Sequence, residues 1–477
     1  LLNKKEAEAV VISDAHIKRG AKMKKMLIIL ILIMVSLLFS FTLFSQPQSP
    51  TYMAELITKA KNMLAALEKG DYEAAVKDFD AAMMKAAPPE KMKQVWEAVN
   101  KQLGGIKNEK DIRTETGAQY DVVFITLEFE KSTIDMKVVF NKDKQIAGQF
   151  FTAPPVPYSP PAYADPDLFT EKEVEFGVEG WKLPGTISIP KGEGPFPAVV
   201  LVHGSGPNDR DESVGGNKPF KDLAWGLASR KIAVLRYDKR TRVHGHKMIE
   251  HKDKSLTVYE ETVQDAALAV ELLRNTERID PEKVFILGHS LGGTLVPRMA
   301  AESPHAAGFI VMAGASRPLE DLFLEQIKYI YMLDGALSQD EEENIAETEA
   351  AVDIIKKLTQ EQVKTGERIL GAGAEYWFDL KGYAPAVSAK SIERPMLILQ
   401  GGRDYQVTEE DYEKWQEALA SKKNAVFKLY PPLNHLFIAG QGPSTPEEYQ
   451  QPGHVAETVI TDIAAWLSNP SNPRSGR

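Results

Sequence analysis

The sequence predicts an α/β protein: an eight-stranded, mostly parallel sheet with helices on both faces, preceded by a small α+β unit. Three observations carry this. Eight apolar runs of strand length follow residue 169, and helical runs separate most of the later ones; strands alternating with helices build a parallel sheet covered on both sides. Before them, helical stretches are followed by strict two-residue alternation, the order of an α+β unit. Between the two blocks, six prolines at 154, 155, 157, 160, 161 and 166 make a stiff linker. The expected organisation is an N-terminal extension over 1–46, a small domain over 50–152, a linker over 153–168 and a main domain over 169–470.

Within the small domain, Met53, Leu56, Ile57, Ala60, Met63 and Leu64 recur at helical spacing. Gly70 and Asp71 interrupt this helix, and a second is expected through Ala86. Pro88-Pro89 open a third, with Met92, Val95, Trp96 and Val99 on its apolar side, and Gly104-Gly105 end it. From 119 the period becomes two: Val123, Ile125, Leu127 and Phe129 face one way, and Val122, Phe124, Thr126 and Glu128 the other. Asn141-Lys142-Asp143 is a turn signal between strands expected at 134–140 and 145–151.

In the main domain, strands are expected at 173–178, 185–189, 198–203, 232–237, 284–287, 308–312, 396–400 and 426–430. Helices are expected at 219–229, 257–275, 291–302 and 456–467. The first two strands lie close enough for a hairpin. Residues 317–388 interrupt the alternation with helical runs at 319–332 and 340–358, the second strongly acidic. An insertion of this size at the strand ends is expected to form a cap.

Bulk properties narrow the chemistry. The net charge of −10 comes with both signs mixed along the chain, which argues against nucleic acid as a general partner, since phosphate binding wants a basic face. The absence of cysteine removes thiolate nucleophiles, disulfide frameworks and Cys-based zinc sites. Lys18, Arg19, Lys22, Lys24 and Lys25 precede an apolar run over 26–44. That is the pattern of a signal peptide or signal anchor, so export to an extracellular or periplasmic location is expected. Ser45 is a small residue ahead of a cleavage point, yet the run is nearly long enough to span a bilayer. Cleavage and retention as a membrane anchor both stay open.

Four motifs carry chemistry. Gly288-His289-Ser290-Leu291-Gly292-Gly293 lies between an apolar strand and an amphipathic helix. Gly-x-Ser-x-Gly alone is weak, but in this context it marks a sharp turn that lifts the Ser290 hydroxyl clear of the sheet. His203-Gly204-Ser205-Gly206 follows the strand at 198–203. The N–H groups of Ser205 and Leu291 form the natural pair of donors for an oxyanion. Asp404, in Gly401-Gly402-Arg403-Asp404, is placed to orient a histidine, and His435, just past the last strand, to act as general base. His454 is the rival base, whereas His244, His246 and His251 read as polar residues of a basic loop. Asp238 falls too early for the order Ser, Asp, His, and a structural pairing with Arg240 or Arg242 is expected. All four motifs fall at carboxyl ends of expected parallel strands, where ligands bind in open α/β sheets.

From Glu171 to Leu467 the chain resembles the α/β-hydrolases. The stretches 203–212 and 236–240 are similar to those of a group of bacterial carboxylesterases. The resemblance implies hydrolysis of small or medium acyl esters through an acyl-enzyme, without metal or organic cofactor. It also implies that Asn208, Asp209 and Arg210 border the pocket; His203 and His289 are further candidates for its lining. The small domain resembles the cone-shaped domain of the nuclear-transport-factor type found ahead of some exported bacterial hydrolases, and a spacer or docking role is expected. Peptidase, amidase or thioesterase activity on the same fold stays open, as does an inactive binding protein held at the envelope.

Overall fold

The computed structural model describes residues 50–116, 120–152, 154, 158–250, 257–363 and 368–470. The expected signal segment and His251 lie outside the described residues. Among the described residues, no helix is long and apolar enough to cross a membrane.

The small domain opens with α1 (Pro50–Lys69), which buries Leu56, Ala60, Met63 and Leu67. The single second helix expected through Ala86 is instead two pieces, α2 (Tyr72–Ala75) and α3 (Ala81–Ala86). Asp80 causes the break. Its carboxylate accepts a hydrogen bond from the Met83 N–H (2.7 Å) and starts a new helix, while Phe79 bridges Ile146. Helix α4 (Pro89–Leu103) buries Met92 and Trp96. These helices pack on an antiparallel sheet in the order β1 (Ile106–Thr116), β2 (Tyr120–Phe129), β3 (Thr133–Asn141), β4 (Ile146–Thr152). The alternation along β2 is as expected, with Val123, Ile125, Leu127 and Phe129 all buried. Strand β1 carries no strand signal of its own. Lys107, Glu109, Lys110 and Asp111 are exposed, as suits a charged edge strand, and only pairing with β2 defines it.

The main domain contains all eight expected strands: β5 (Phe169–Phe176), β6 (Leu183–Pro190), β7 (Phe196–Val202), β8 (Ala233–Tyr237), β9 (Ile279–His289), β10 (Phe309–Met312), then β13 (Met396–Gly401) and β14 (Ala425–Tyr430) after a separate two-stranded pair, β11 (Arg368–Ile369) and β12 (Ala372–Gly373). Strand β5 starts at Phe169, ahead of the expected 173. The order is β14-β13-β10-β9-β7-β8-β6-β5. Strands β5, β6 and β8 pair antiparallel, and the remaining neighbours pair parallel. The two faces have separate cores. Ala198, Val200, Val284, Ile286, Met396 and Ile398 lie in one; Val199, Leu201, Phe285, Leu287, Leu397 and Leu399 lie in the other. That division is the period of two acting on strands covered by helices on both sides.

Among the described residues, the helices at 240–250 and 409–418 escaped the sequence patterns, as did short ones within the insertion such as Ala374–Leu380. Residues 240–250, read as a basic loop, form α6 (Arg240–Glu250), after α5 (Pro219–Ala228). The helix buries Arg240 against Asp265 and also Met248, neither visible in a run of basic residues. Residues 409–418 form a helix that buries Tyr412 and Trp415 beneath an acidic surface. In the insertion, helices cover Leu319–Tyr331 and Gln339–Lys357, the latter begun by a Ser338–Glu341 capping box. From Tyr158 onward the linker is docked on the main domain. The Tyr158 hydroxyl donates to Asp222 (2.8 Å), and that of Tyr163 to the Val455 carbonyl (2.7 Å).

Candidate active site

Ser290 stands in a strained bend between β9 and a short helix, Leu291–Thr294, at φ 53° and ψ −118°. A side chain in this region costs on the order of 1–3 kcal/mol, and such strain concentrates at functional positions. Tight contacts enforce the bend. A Cβ on Gly288 would overlap the Gly292 carbonyl, and one on Gly292 would lie 2.7 Å from the His203 carbonyl oxygen. The motif's glycines therefore let the turn close against the end of β7. Gly204 faces the nucleophile from that strand: a Cβ there would lie 3.0 Å from Ser290 Cβ. Ser205 and Leu291, the expected oxyanion donors, both line the cavity beside Ser290. Leu291 opens its helix, so its N–H has no intrahelical acceptor.

Asp404 and His435 meet beyond β13 and β14. His435 Nδ1 is 2.6 Å from Asp404 Oδ2, and both residues are buried. Oδ1 of Asp404 accepts from the N–H groups of Gln406 (2.8 Å) and Val407 (3.0 Å), and the Gln400 amide donates to Oδ2 (3.2 Å). The carboxylate is thus oriented from four sides, and the imidazole with it. The Ser290 hydroxyl forms no hydrogen bond with any described residue, so the Ser290–His435 link of the expected relay is not made here. Catalytic hydrogen bonds of this kind commonly tighten only once substrate is bound. The two loops are nonetheless joined. His289 Nε2 is 3.0 Å from the His435 carbonyl oxygen, and the two imidazoles lie 4.8 Å apart.

The pocket-lining candidates need correction. None of His203, Asn208, Asp209, Arg210 and His289 lines the cavity next to Ser290; Ser205, Gly206 and Pro207 do. The five form the frame behind it. Arg210 turns away to Asp238 (3.0 Å) and Glu173 (2.6 Å), so Asp238 pairs with Arg210 rather than with Arg240 or Arg242. The Asn208 amide donates to the carbonyl oxygens of Gly204 (3.2 Å) and Ser205 (2.9 Å). Asp209 takes the N–H groups of Asp211 and Ser213 and caps its own turn. The stretch 203–212 is locked to 236–240 by buried charges, Arg236 to Asp211 and Lys239 to the Gly204 carbonyl.

Glu212 is a residue whose role the motif did not disclose. It is buried at φ 51° and accepts the Gly204 N–H at 2.6 Å. Its other oxygen is 2.8 Å from His289 Nδ1, an ion pair off the line of a good hydrogen bond. Burial opposes the charged form of each partner. Their mutual attraction prevails, raising His289 and lowering Glu212 relative to their ordinary values.

His203 behaves differently. It is packed against Phe220 and Tyr237, with Nε2 on the Asp209 carbonyl at 3.0 Å. Burial pushes it down from 6.5 to about 4. A folded-state value below the unfolded one means that the unfolded chain takes up the proton first as pH falls. Stability is therefore expected to drop between those two values, by on the order of 3 kcal/mol. Urea midpoints at pH 7.5 and 4.5 check this. The acid loss should be smaller in His203→Gln, and equal losses in both proteins would count against it.

His454 and His244 serve the packing of the main domain. His454, the rival base, sits on Asp222 (3.0 Å) and holds Tyr158 of the linker. His244 is half-buried against Trp181 and the Lys182 carbonyl rather than on a polar surface loop. Among the described residues no group of three His, Asp or Glu is placed to hold a metal ion.

The cavity has a volume of about 350 Å³. Ser290, Leu291 and Val407 wall it from the sheet side, and Leu319, Leu322 and Phe323 from the insertion. Glu261, Glu375 and Tyr376 add a polar side. A hydroxyl raised on a strained turn beside a mainly apolar chamber, with a buried imidazole–carboxylate pair on adjoining strand ends, suits acyl transfer.

Residues 60–148 match a family described as a protein of unknown function, DUF3887. Esterase EstD of Thermotoga maritima is 43% identical over 378 residues, which span 79% of this chain and 86% of that protein. Two solved structures are similar at lower identity. The esterase Pf2001 of Pyrococcus furiosus shares 17%, with a TM-score of 0.41, over 67% of this chain and 97% of that one. An acylaminoacyl peptidase of Pyrococcus horikoshii shares 15%, with a TM-score of 0.42, over 76% and 56%. Residues 195–440 match the family described as serine aminopeptidase, S33, and the chain belongs to that family of α/β-hydrolases.

Proposed function

We propose that this protein is a serine carboxylesterase in which Ser290 attacks the ester carbonyl, His435 takes its proton and Asp404 holds the imidazole. The N–H groups of Ser205 and Leu291 receive the oxyanion. The alcohol leaves with the proton from His435, and water activated by the same imidazole releases the acid from the acyl-enzyme. The observation that carries this reading is the strained Ser290 turn beside the cavity, with the His435–Asp404 pair (2.6 Å) past the ends of β13 and β14 in the same sheet. Membership of the family and similarity to EstD support ester hydrolysis.

The apolar wall of Leu319, Leu322 and Phe323 suits a small or medium acyl chain. At about 0.8 kcal/mol per buried methylene, kcat/KM for p-nitrophenyl esters is expected to rise about fourfold per methylene from acetate to butyrate. The rise should end once the chamber is full, and Leu322→Ala should move that limit to longer chains. A flat profile in both proteins would remove the wall from acyl recognition.

An amidase or aminopeptidase reading has one observation in its favour. Glu375 lies on the cavity wall without an ion-pair partner among the described residues, where it could receive a substrate ammonium. Matched p-nitrophenyl esters and aminoacyl p-nitroanilides, with Ser290→Ala as control, separate the two. Faster anilide turnover would replace the esterase proposal.

The basic residues 18–25 and the apolar run 26–44 support export, with the enzyme either released or held at the membrane by an uncleaved segment. Residues 1–46 fused to alkaline phosphatase should yield an active, exported reporter, and a reporter retained in the cytoplasm would refute export.

A further inference from the structure

Lys239 is among the most deeply buried charged groups of the main domain, with 2% of its surface exposed. The mechanism proposed above gives it no task. Its ammonium has two partners. It donates to the Gly204 carbonyl oxygen at 2.8 Å and pairs with Glu261 at 3.0 Å. Glu261 in turn accepts the hydroxyl of Tyr376, at 3.0 Å, from the insertion that covers the cavity.

The Gly204 carbonyl belongs to the same peptide unit as the Ser205 N–H. That unit is planar and trans, so its C=O and N–H point in opposite directions. Whatever holds the carbonyl therefore aims the N–H. Lys239 holds it from behind, while Glu212 fixes the preceding peptide through the Gly204 N–H at 2.6 Å. Ser205 lines the cavity next to Ser290, and its N–H is engaged by no described backbone acceptor. A cation on the carbonyl oxygen also polarises the amide and strengthens its N–H as a donor.

We propose that Lys239 is a positioning residue of the oxyanion site: its ammonium turns and polarises the Gly204–Ser205 peptide so that the Ser205 N–H meets the developing negative charge. This rests on the reading of the Ser205 N–H as an oxyanion donor. A purely structural ion pair would stabilise the fold equally well, so the test must read the transition state.

The variant Lys239→Met combined with Glu261→Gln removes both charges and leaves no buried ion unpaired. Its kcat on p-nitrophenyl butyrate is expected to fall about 100-fold, as when one oxyanion donor is lost, with KM within about threefold of the wild type. Affinity for a trifluoromethyl ketone, whose adduct on Ser290 carries the oxyanion, should fall in parallel. Should the double variant fail to fold, Lys239→Gln, which keeps a neutral donor, should show the same parallel loss at about tenfold. A folded variant with kcat within about threefold of wild type would overturn the proposal, as would a loss of kcat with unchanged ketone affinity. Ser205→Pro, which deletes the N–H itself, separates the two levels. If it loses ketone affinity while the Lys239 variants keep theirs, only the role of Lys239 fails. If it keeps full kcat and affinity, the oxyanion reading of Ser205 fails with it.

Discussion

Ser290→Ala is expected to lower kcat for p-nitrophenyl butyrate by at least about 10⁴-fold, or more than about 5 kcal/mol in the barrier, and to abolish labelling by a fluorophosphonate. The fold should survive. The Ser290 hydroxyl forms no hydrogen bond with any described residue, so its removal leaves no buried partner unsatisfied among them. The backbone strain at φ 53° is held by the closeness of Gly288, Gly292 and the end of β7, none of which the substitution touches. Near-UV circular dichroism and the thermal midpoint should match the wild type. Residual activity above about one per cent, with labelling retained, would take Ser290 out of the mechanism.

Asp404→Asn should cost nearly as much in kcat, about 10⁴-fold, with KM little changed. Both oxygens of Asp404 act as acceptors: Oδ1 for the N–H groups of Gln406 and Val407, Oδ2 for Gln400 and for Nδ1 of His435. An asparagine must place its NH₂ at one of these positions. At the first it opposes two backbone donors. At the second it forces His435 into the tautomer protonated on Nε2, which cannot accept the serine proton. The clash with two backbone donors disfavours the first placement, and in the second the base is disabled while the cavity walls stay where they are. A kcat within tenfold of wild type would show that His435 needs no carboxylate partner.

What was legible in the sequence follows from local periodicity. The apolar runs from β5 to β14 announce themselves because strands buried on both faces have no polar side to show, and Ser290 because strand, glycine turn and helix adjoin in the chain. The order Ser290, Asp404, His435, past the ends of β9, β13 and β14, was legible for the same reason. Strand β1 and the helices at 240–250 and 409–418 were not, because their charged residues conceal which few side chains are buried. For the helix at 409–418, the buried ones include Asp411, which is paired with Arg317 at 2.8 Å.

The sequence by itself determined the fold class and raised the expectation of a linker and of three side chains to do the chemistry, since each rests on residues adjacent in the chain or on simple strand order. Tertiary structure alone decided that Asn208, Asp209 and Arg210 stand behind the pocket rather than in it, that Glu212 and Lys239 grip either side of Gly204, and that Tyr376 reaches the site from the insertion. Buried ion pairs join residues distant in sequence, and nothing local in the chain marks which carboxylate will meet which cation; only the packed geometry excludes water and selects the partner.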